Sequence, residues 1–385
     1  MDPALPSAPE PAAPVSPALS GGKLWLFRLV SLACAAAAGF VALEWFLQSR
    51  QTRIGRSDAL EPGLIQYDAN LGWRLQSNWR GEHRHGDFLA RYSTHRLGFR
   101  GDTAFPQRDP ARPLTAVVGD SFTFGFGVND DATFVHLLDA AAPGGATFAN
   151  FAVPGFSTDQ EALLIEREVT QIQPRRILLV VYVGNDLLDN PRPSPLQVRS
   201  PKPYFEWQDD KLQLRNSPVP PPPAPPAESL ASAILGPDRA TWPWRVRLEQ
   251  QSEIFRVLSQ SAGGHDFSAD VASRRLQPTV VLFGRLLERI RRTTEQRHIE
   301  LVVAVLAGRS HALHPRTLSG RYQEYFRTEV LRLAKEEEIP TVDIADHLRR
   351  NAADAKEPWF YLNDGHLTPA GHKVVAEFLA RNLPR

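Results

Sequence analysis

Two things are scarce in this chain: cysteine, and an excess of charge of either sign. The only cysteine, Cys34, excludes an intrachain disulfide and any cysteine-based zinc site. The 44 basic and 43 acidic residues nearly cancel, so the net charge of +1 gives no electrostatic reason to expect nucleic acid as a partner. No internal repeat of roughly 20–50 residues runs through the chain, which excludes solenoids and propellers. Proline, by contrast, is plentiful and uneven. The 33 prolines crowd the first twenty residues and the stretch Pro191–Pro226, and such runs favour linkers or extended surface over helix and central strand.

Residues 1–22, rich in Pro, Ala and Ser, are expected to form a disordered tail. An apolar run follows from Leu24 to Leu47, interrupted by Arg28 and Glu44. At helical rise it is long enough to cross a bilayer core, so residues 23–48 are read as a transmembrane anchor. Arg28 and Glu44 lie near its ends and can snorkel, and Trp25 and Trp45 suit the two interfaces. A buried helix of a soluble protein, or a signal peptide cleaved near Ala35–Ala38, are the other readings. Basic residues flank the run on both sides, Lys23 and Arg28 before and Arg50, Arg53 and Arg56 after, so charge does not orient it.

Residues 57–105 read as a preamble of small strands and loops carrying Trp73, Trp79, Tyr92 and Phe99. His83 and His85, without a third ligand in reach, read as surface residues. From Leu114 the pattern alternates. Apolar strands are expected at Leu114–Val118, Ala146–Val153, Ile177–Val183, Leu301–Leu306 and Thr341–Ile344. Helices are expected at Asp131–Ala141, Ser157–Gln171, Val280–Arg292, Tyr322–Glu337 and Pro369–Asn382. Repeated strand–helix alternation implies a parallel sheet covered on both faces, with its active site beyond the carboxyl ends of the strands. The main domain is placed at 106–385, with an insertion at 188–277.

Four polar segments fall at the expected strand ends. Val118-Gly119-Asp120-Ser121 places a serine at a strand-to-helix turn, where its hydroxyl can be exposed and its N–H can face a developing oxyanion. Asn150 to Gly155 ends in a glycine that can present its N–H. Val183-Gly184-Asn185-Asp186 offers the Asn185 amide to the same oxyanion. Asn363-Asp364-Gly365-His366 supplies a base and a neighbouring carboxylate. Any one of these alone is a turn, a cap or a helix-face residue; a nucleophile, two oxyanion donors and a base at successive strand ends are the parts that acyl transfer requires. Asp120 and Asp186 are read as loop-bracing groups and His372 as a helix-face residue.

These segments resemble the four sequence blocks of the SGNH (GDSL-like) hydrolase superfamily, over about Leu114–Leu383 with the insertion excepted. The stretches Tyr67–Trp73 and His95–Gly101 are similar to the segment that precedes the first block in some bacterial, membrane-anchored members. The resemblance implies a flavodoxin-like three-layer α/β/α sandwich on a five-stranded parallel sheet, a catalytic set Ser121, His366 and Asp364, and an oxyanion hole from Ser121, Gly155 and Asn185. It also implies hydrolysis or transfer of acyl groups, often acetyl, on carbohydrates or lipids, with no metal or organic cofactor. One departure stands out. The commonest family acid lies three residues before the histidine, where this chain has Asn363, so Asp364 takes the role as in relatives with an Asp-x-His pattern. In an extended segment residues i and i+2 face the same side; otherwise the site is a Ser–His dyad.

The resemblance thus leads to a membrane-anchored serine esterase, its catalytic domain outside the cytoplasm, acting on acylated envelope carbohydrate or lipid. An O-acyltransferase with the same residues and a non-catalytic glycan-binding scaffold are the alternatives. Within the insertion, Tyr204, Phe205 and Trp207 are either a substrate platform or the packing of a surface flap, and the run Pro218–Pro226 is a stiff spacer.

Overall fold

The computed structural model describes residues 21–57, 59–101, 112–142, 145–198, 200–221, 234–236, 238–262 and 269–384. The amino-terminal tail and most of the proline run lie outside the described residues. The chain divides after Arg50 into two compact units. The first holds most of helix α1 (Gly21–Ser57). Its stretch Gly22–Arg50 is long and apolar enough to cross a membrane, and Trp25 and Trp45 are both exposed along it.

The second unit begins with five short strands: β1 (Ala59–Leu60), β2 (Ile65–Asp68), β3 (Gly72–Leu75), β4 (Arg80–Arg84) and β5 (Leu89–Ser93). β1, β4 and β5 form one antiparallel sheet, and β2 and β3 a hairpin. Trp73, Leu75, Ala90, Tyr92 and Phe99 are buried in the same apolar cluster as one face of the main sheet, so the preamble shares that core. His83 departs from the surface reading. It is buried, its Nδ1 is 2.8 Å from the Tyr92 hydroxyl, and its ring meets Phe88 and Phe126 edge-on.

The main domain runs β6 (Leu114–Val118), α2 (Ser121–Phe124), α3 (Phe134–Ala141), β7 (Thr147–Asn150), α4 (Thr158–Arg167), β8 (Arg176–Tyr182) and α5 (Asp186–Asp189). The insertion contributes a hairpin, β9 (Tyr204–Gln208) and β10 (Lys211–Arg215), and helices α6 (Trp244–Gln251) and α7 (Glu253–Ala262). Then come α8 (Ala269–Gln296), β11 (Glu300–Leu306), α9 (Arg309–Leu313), α10 (Leu318–Glu336), β12 (Thr341–Asp343), α11 (Ile344–Asn351) and α12 (Pro369–Asn382). β6, β7, β8, β11 and β12 form a parallel sheet in the order β12-β11-β8-β6-β7.

Alternation along the strands sorts the core into two layers. Ala116, Val118, Leu179, Val181 and Val303 face α4, α8 and α10; Val117, Leu178, Val180, Val302 and Ala304 face α3, α11 and α12. Both faces are covered, which is why these strands read as unbroken apolar runs. A fully buried side chain such as Phe283 on α8 contributes about 1.5–3 kcal/mol by leaving water. The result is the three-layer α/β/α sandwich.

Helix ends moved where capping decided them. Thr133 accepts from the His136 N–H and starts α3 at Phe134, after a separate 3-10 turn at Asp130–Ala132. Helix α8 is 28 residues long, and Pro278, which marks the expected boundary, lies inside it. The hairpin β9–β10 turns on Asp209 and Asp210, both at positive φ. Its Phe205 is buried, and Trp207 is half-buried under the Arg285 guanidinium, 4.5 Å from the ring centroid. Phe205 therefore packs inward, while Trp207 is only partly covered, and both border an open groove.

The insertion is tied down by a fully buried ion pair between Lys202 and Asp159 at the start of α4. Burial works against both charges, lowering the Lys202 pKa and raising that of Asp159, so each depends on the other. Lys202→Met is expected to cost about 3–5 kcal/mol in urea unfolding, because it strands the Asp159 charge. A loss no larger than that of a surface lysine would show that the pair is not the tether.

Candidate active site

Strand β6 is followed by Gly119-Asp120, and Ser121 is the first residue of α2. Asp120 caps that short helix: its Oδ1 accepts the Phe122 N–H at 2.9 Å. The serine is thus held at a sharp strand-to-helix turn, partly open to solvent.

His366 comes from the far end of the chain, on a loop between α11 and α12 that folds back on itself. Phe360 pairs with Leu367, the Tyr361 N–H donates to the His366 carbonyl at 2.8 Å, and the Thr368 N–H to the Trp359 carbonyl at 3.0 Å. The loop carries His366 Nε2 to 2.8 Å from Ser121 Oγ. His366 Nδ1 lies 2.7 Å from Asp364 Oδ1, and the same oxygen accepts the His366 backbone N–H at 3.1 Å. Burial disfavours the Asp364 charge, but the bonds from His366 outweigh it and hold this carboxyl below the usual carboxylate range. A carboxylate only accepts, so Nδ1 must donate to it, and Nε2 is left to accept the Ser121 hydroxyl. Phe122 and Phe126 flank the imidazole, with ring centroids 4.6 and 5.0 Å away.

Asp364 and His366 meet for a different reason than an extended segment. Gly365 has φ +90°, and the Asp364 carboxylate bonds the N–H two residues on, as in an Asx-turn. A side chain at residue 365 would meet no neighbour, so only the backbone conformation calls for glycine there.

Gly155 and Asn185 follow β7 and β8, the two strands that flank β6. Gly155 is at φ +80°, and a Cβ there would lie 2.5 Å from Val198 of the insertion, so the insertion crowds this loop. Asn185 precedes α5 without capping it through its side chain. Ser121, His366 and Asp364 are therefore joined by hydrogen bonds, and Gly155 and Asn185 stand at the neighbouring strand ends.

The sequence profile of the GDSL-like lipase/acylhydrolase family matches residues 117–374, more than half of the chain. The chain belongs to that family. Similar solved structures include a G-D-S-L family lipolytic protein from Desulfitobacterium hafniense, at 14% identity and TM-score 0.39, covering 71% of this chain and 100% of that one. An acetylxylan esterase from Geobacillus stearothermophilus, solved as a catalytic mutant, is 10% identical at TM-score 0.39, covering 70% and 93%. A psychrotrophic esterase from Pseudoalteromonas is 8% identical at TM-score 0.38, covering 71% and 97%. No curated protein sequence matches the chain. The GDSL-like family is one of ester hydrolases, and this chain is one of them.

Beneath the serine of this GDSL-like hydrolase lie acids that sequence reasoning only partly found. Asp186 braces its loop as expected, with Oδ2 accepting the Tyr182 N–H at 2.7 Å. Glu161 on α4 was missed: it is fully buried, in a helix whose buried stretch looks ordinary in sequence. Burial, and then the proximity of Asp120 and Asp159, push the Glu161 carboxyl well up; burial, with Glu161 and Asp120, does the same to Asp186. Burial lifts Asp120 to about 6 against the opposing pull of His366. His372 is buried as well, stacked on Phe134, and its Nδ1 accepts the Phe134 N–H at 3.2 Å. Burial lowers its pKa to about 3, so it is a neutral acceptor that joins α12 to α3.

Asp189, at the end of α5, is the simplest of the raised acids. Burial lifts it to about 6, and its Oδ1 accepts the Leu196 N–H at 2.9 Å. Its folded pKa lies above the unfolded value, so the folded state holds the extra proton and stability falls as pH rises from about 4 to about 6. Asp189→Asn keeps the acceptor and removes the titration. Its unfolding free energy in urea is expected to decline less over that window than the wild type's, by up to about 3 kcal/mol. Parallel pH profiles would show that Asp189 is not held protonated.

Proposed function

We propose that this protein is a membrane-tethered serine esterase that removes acyl groups, acetyl first among them, from carbohydrate or lipid of the cell envelope. The observation that supports the chemistry is the hydrogen-bonded chain Ser121 Oγ, His366 Nε2, His366 Nδ1, Asp364 Oδ1, at 2.8 and 2.7 Å. In this reading Ser121 Oγ attacks the ester carbonyl while His366 Nε2 takes its proton. The C–O bond to the alcohol breaks, and the imidazolium returns the proton to the leaving oxygen. Water, deprotonated by His366, then attacks the acyl-enzyme, releasing the acid and restoring Ser121. Asp364 fixes the imidazole tautomer and stabilises the imidazolium between steps. The Ser121 N–H, the Gly155 N–H and the Asn185 amide form the oxyanion hole.

The apolar helix Gly22–Arg50 supports the tether, and the resemblance to exported members of the family supports a domain on the extracytoplasmic side. The envelope substrate follows from that location and from the acyl-ester chemistry of the family.

The test uses the full chain in detergent, a fluorescent fluorophosphonate and p-nitrophenyl acetate. Wild type is expected to label and to turn over; Ser121→Ala is expected to do neither. Asp364→Ala should lose about 10⁴-fold in kcat, as expected of a serine hydrolase deprived of its orienting acid. Asn185→Ala should lose about 10²–10³-fold in kcat and still label, because it keeps the nucleophile. A folded wild type that neither labels nor cleaves acetyl esters would sink the proposal.

A further inference from the structure

The preamble reaches three of the four segments that carry the proposed chemistry. On the nucleophile side, the Arg100 guanidinium is buried between the rings of Tyr92 and Phe124, 4.3 and 4.5 Å from their centroids. It donates to the carbonyls of Phe124 and Gly125 at 3.3 Å and of Val128 at 2.7 Å, and so holds the end of α2. On the Gly155 side, Trp73 on β3 is buried and its Nε1 donates to the Pro154 carbonyl at 3.0 Å. On the acid–base side, Asp87 sits in the turn between β4 and β5. Its Oδ2 accepts the backbone N–H of Asn363 at 2.7 Å and of Asp364 at 2.9 Å, and its Oδ1 accepts Asn363 Nδ2 at 2.5 Å.

The third contact matters most mechanically. The Asp364–His366 tip is a loop, and loops are mobile unless tied down. A carboxylate that accepts two successive N–H groups sets the orientation of that backbone, and with it the direction of the Asp364 side chain. The Asp87 side chain is itself only 10% exposed. We infer that the strands Ala59–Ser93 and Arg100 form a template that registers the catalytic loops on one another, with Asp87 as the positioning residue for the Asp364–His366 pair. The inference rests on the reading of Ser121, His366 and Asp364 as the catalytic set.

The test measures kcat and KM on p-nitrophenyl acetate, with thermal unfolding, for the full-length wild type, Asp87→Ala, Asp87→Asn and Glu82→Ala. Glu82 is on the same hairpin, paired with Arg84 and Arg91 on its surface. Asp87→Ala is expected to lower kcat about 10²-fold with KM little changed, the mark of displaced reacting groups and not of lost binding. Asp87→Asn keeps an oxygen for both backbone N–H groups, and Asn363 can turn its own amide to match, so it should regain most of the rate. Glu82→Ala should behave as wild type. If Asp87→Ala does not fold, Asp87→Ser, too short to reach both N–H groups, is judged by the same criterion. A folded Asp87→Ala (or Asp87→Ser) with wild-type kcat, or Asp87→Asn as impaired as Asp87→Ala, overturns the inference while leaving the esterase reading intact. An inactive wild type overturns both.

Discussion

The hydrogen bond between Ser121 and His366 joins residues 245 positions apart, and the rest of the architecture is arranged to make it. Ser121 follows β6, second from one edge of the sheet; the chain reaches the opposite edge at β12 before His366 appears. The loop after α11 must therefore return across the strand ends. It is held at its base by the pairing of Phe360 with Leu367, and beyond it by α12, which starts at a Thr368 cap and packs on α3. The buried contact of His372 with Phe134 belongs to the same joint. A helix pair on one face thus fixes where the base arrives over the sheet's edge.

The apolar layers on the two faces stabilise the sheet but cannot align its loops, because dispersion and burial carry little direction. Alignment comes from the polar contacts at the strand ends, each of them directional. That the preamble makes several of them explains why it shares a core with the sheet. A separate domain with its own core could slide; a preamble that buries Trp73, Tyr92 and Phe99 into the common cluster cannot.

Much of this was legible in the sequence, and for physical reasons. Strands buried on both faces read as apolar runs, and the polar segments that follow them stand out by contrast. The pairing of Asp364 with His366 was legible because Asp364 lies only two positions before it, although a turn at Gly365 brings them together where an extended segment was expected. The helix at Ala269–Gln296 was legible only in part. Its first turns carry no regular apolar stripe, and Pro278 reads as a boundary. His83 looked like a surface residue because nothing local announces that Phe88, Tyr92 and Phe126 enclose it. Asp87 was invisible for the same reason. Its partners lie about 276 residues away, and a lone aspartate in a hairpin turn looks like turn chemistry.

The buried acids bear on what such a site can do. A reaction that builds negative charge beside Ser121 is opposed by any ionised carboxylate close below it, and in a low-dielectric interior that opposition is strong. Asp120, Glu161 and Asp186 all lie there with no exposed surface. Burial, and then their proximity to one another and to Asp120, pushes Glu161 and Asp186 well above the usual carboxylate range, which disfavours their charged forms and weakens that repulsion. Asp120 is raised less, because His366 draws its charge out. Asp364, on the other side of the imidazole, is less deeply buried and more strongly bonded, and stays ionised. Depth of burial thus sorts these carboxylates: charge is favoured at Asp364, which bonds His366, and disfavoured at the fully buried acids beneath Ser121.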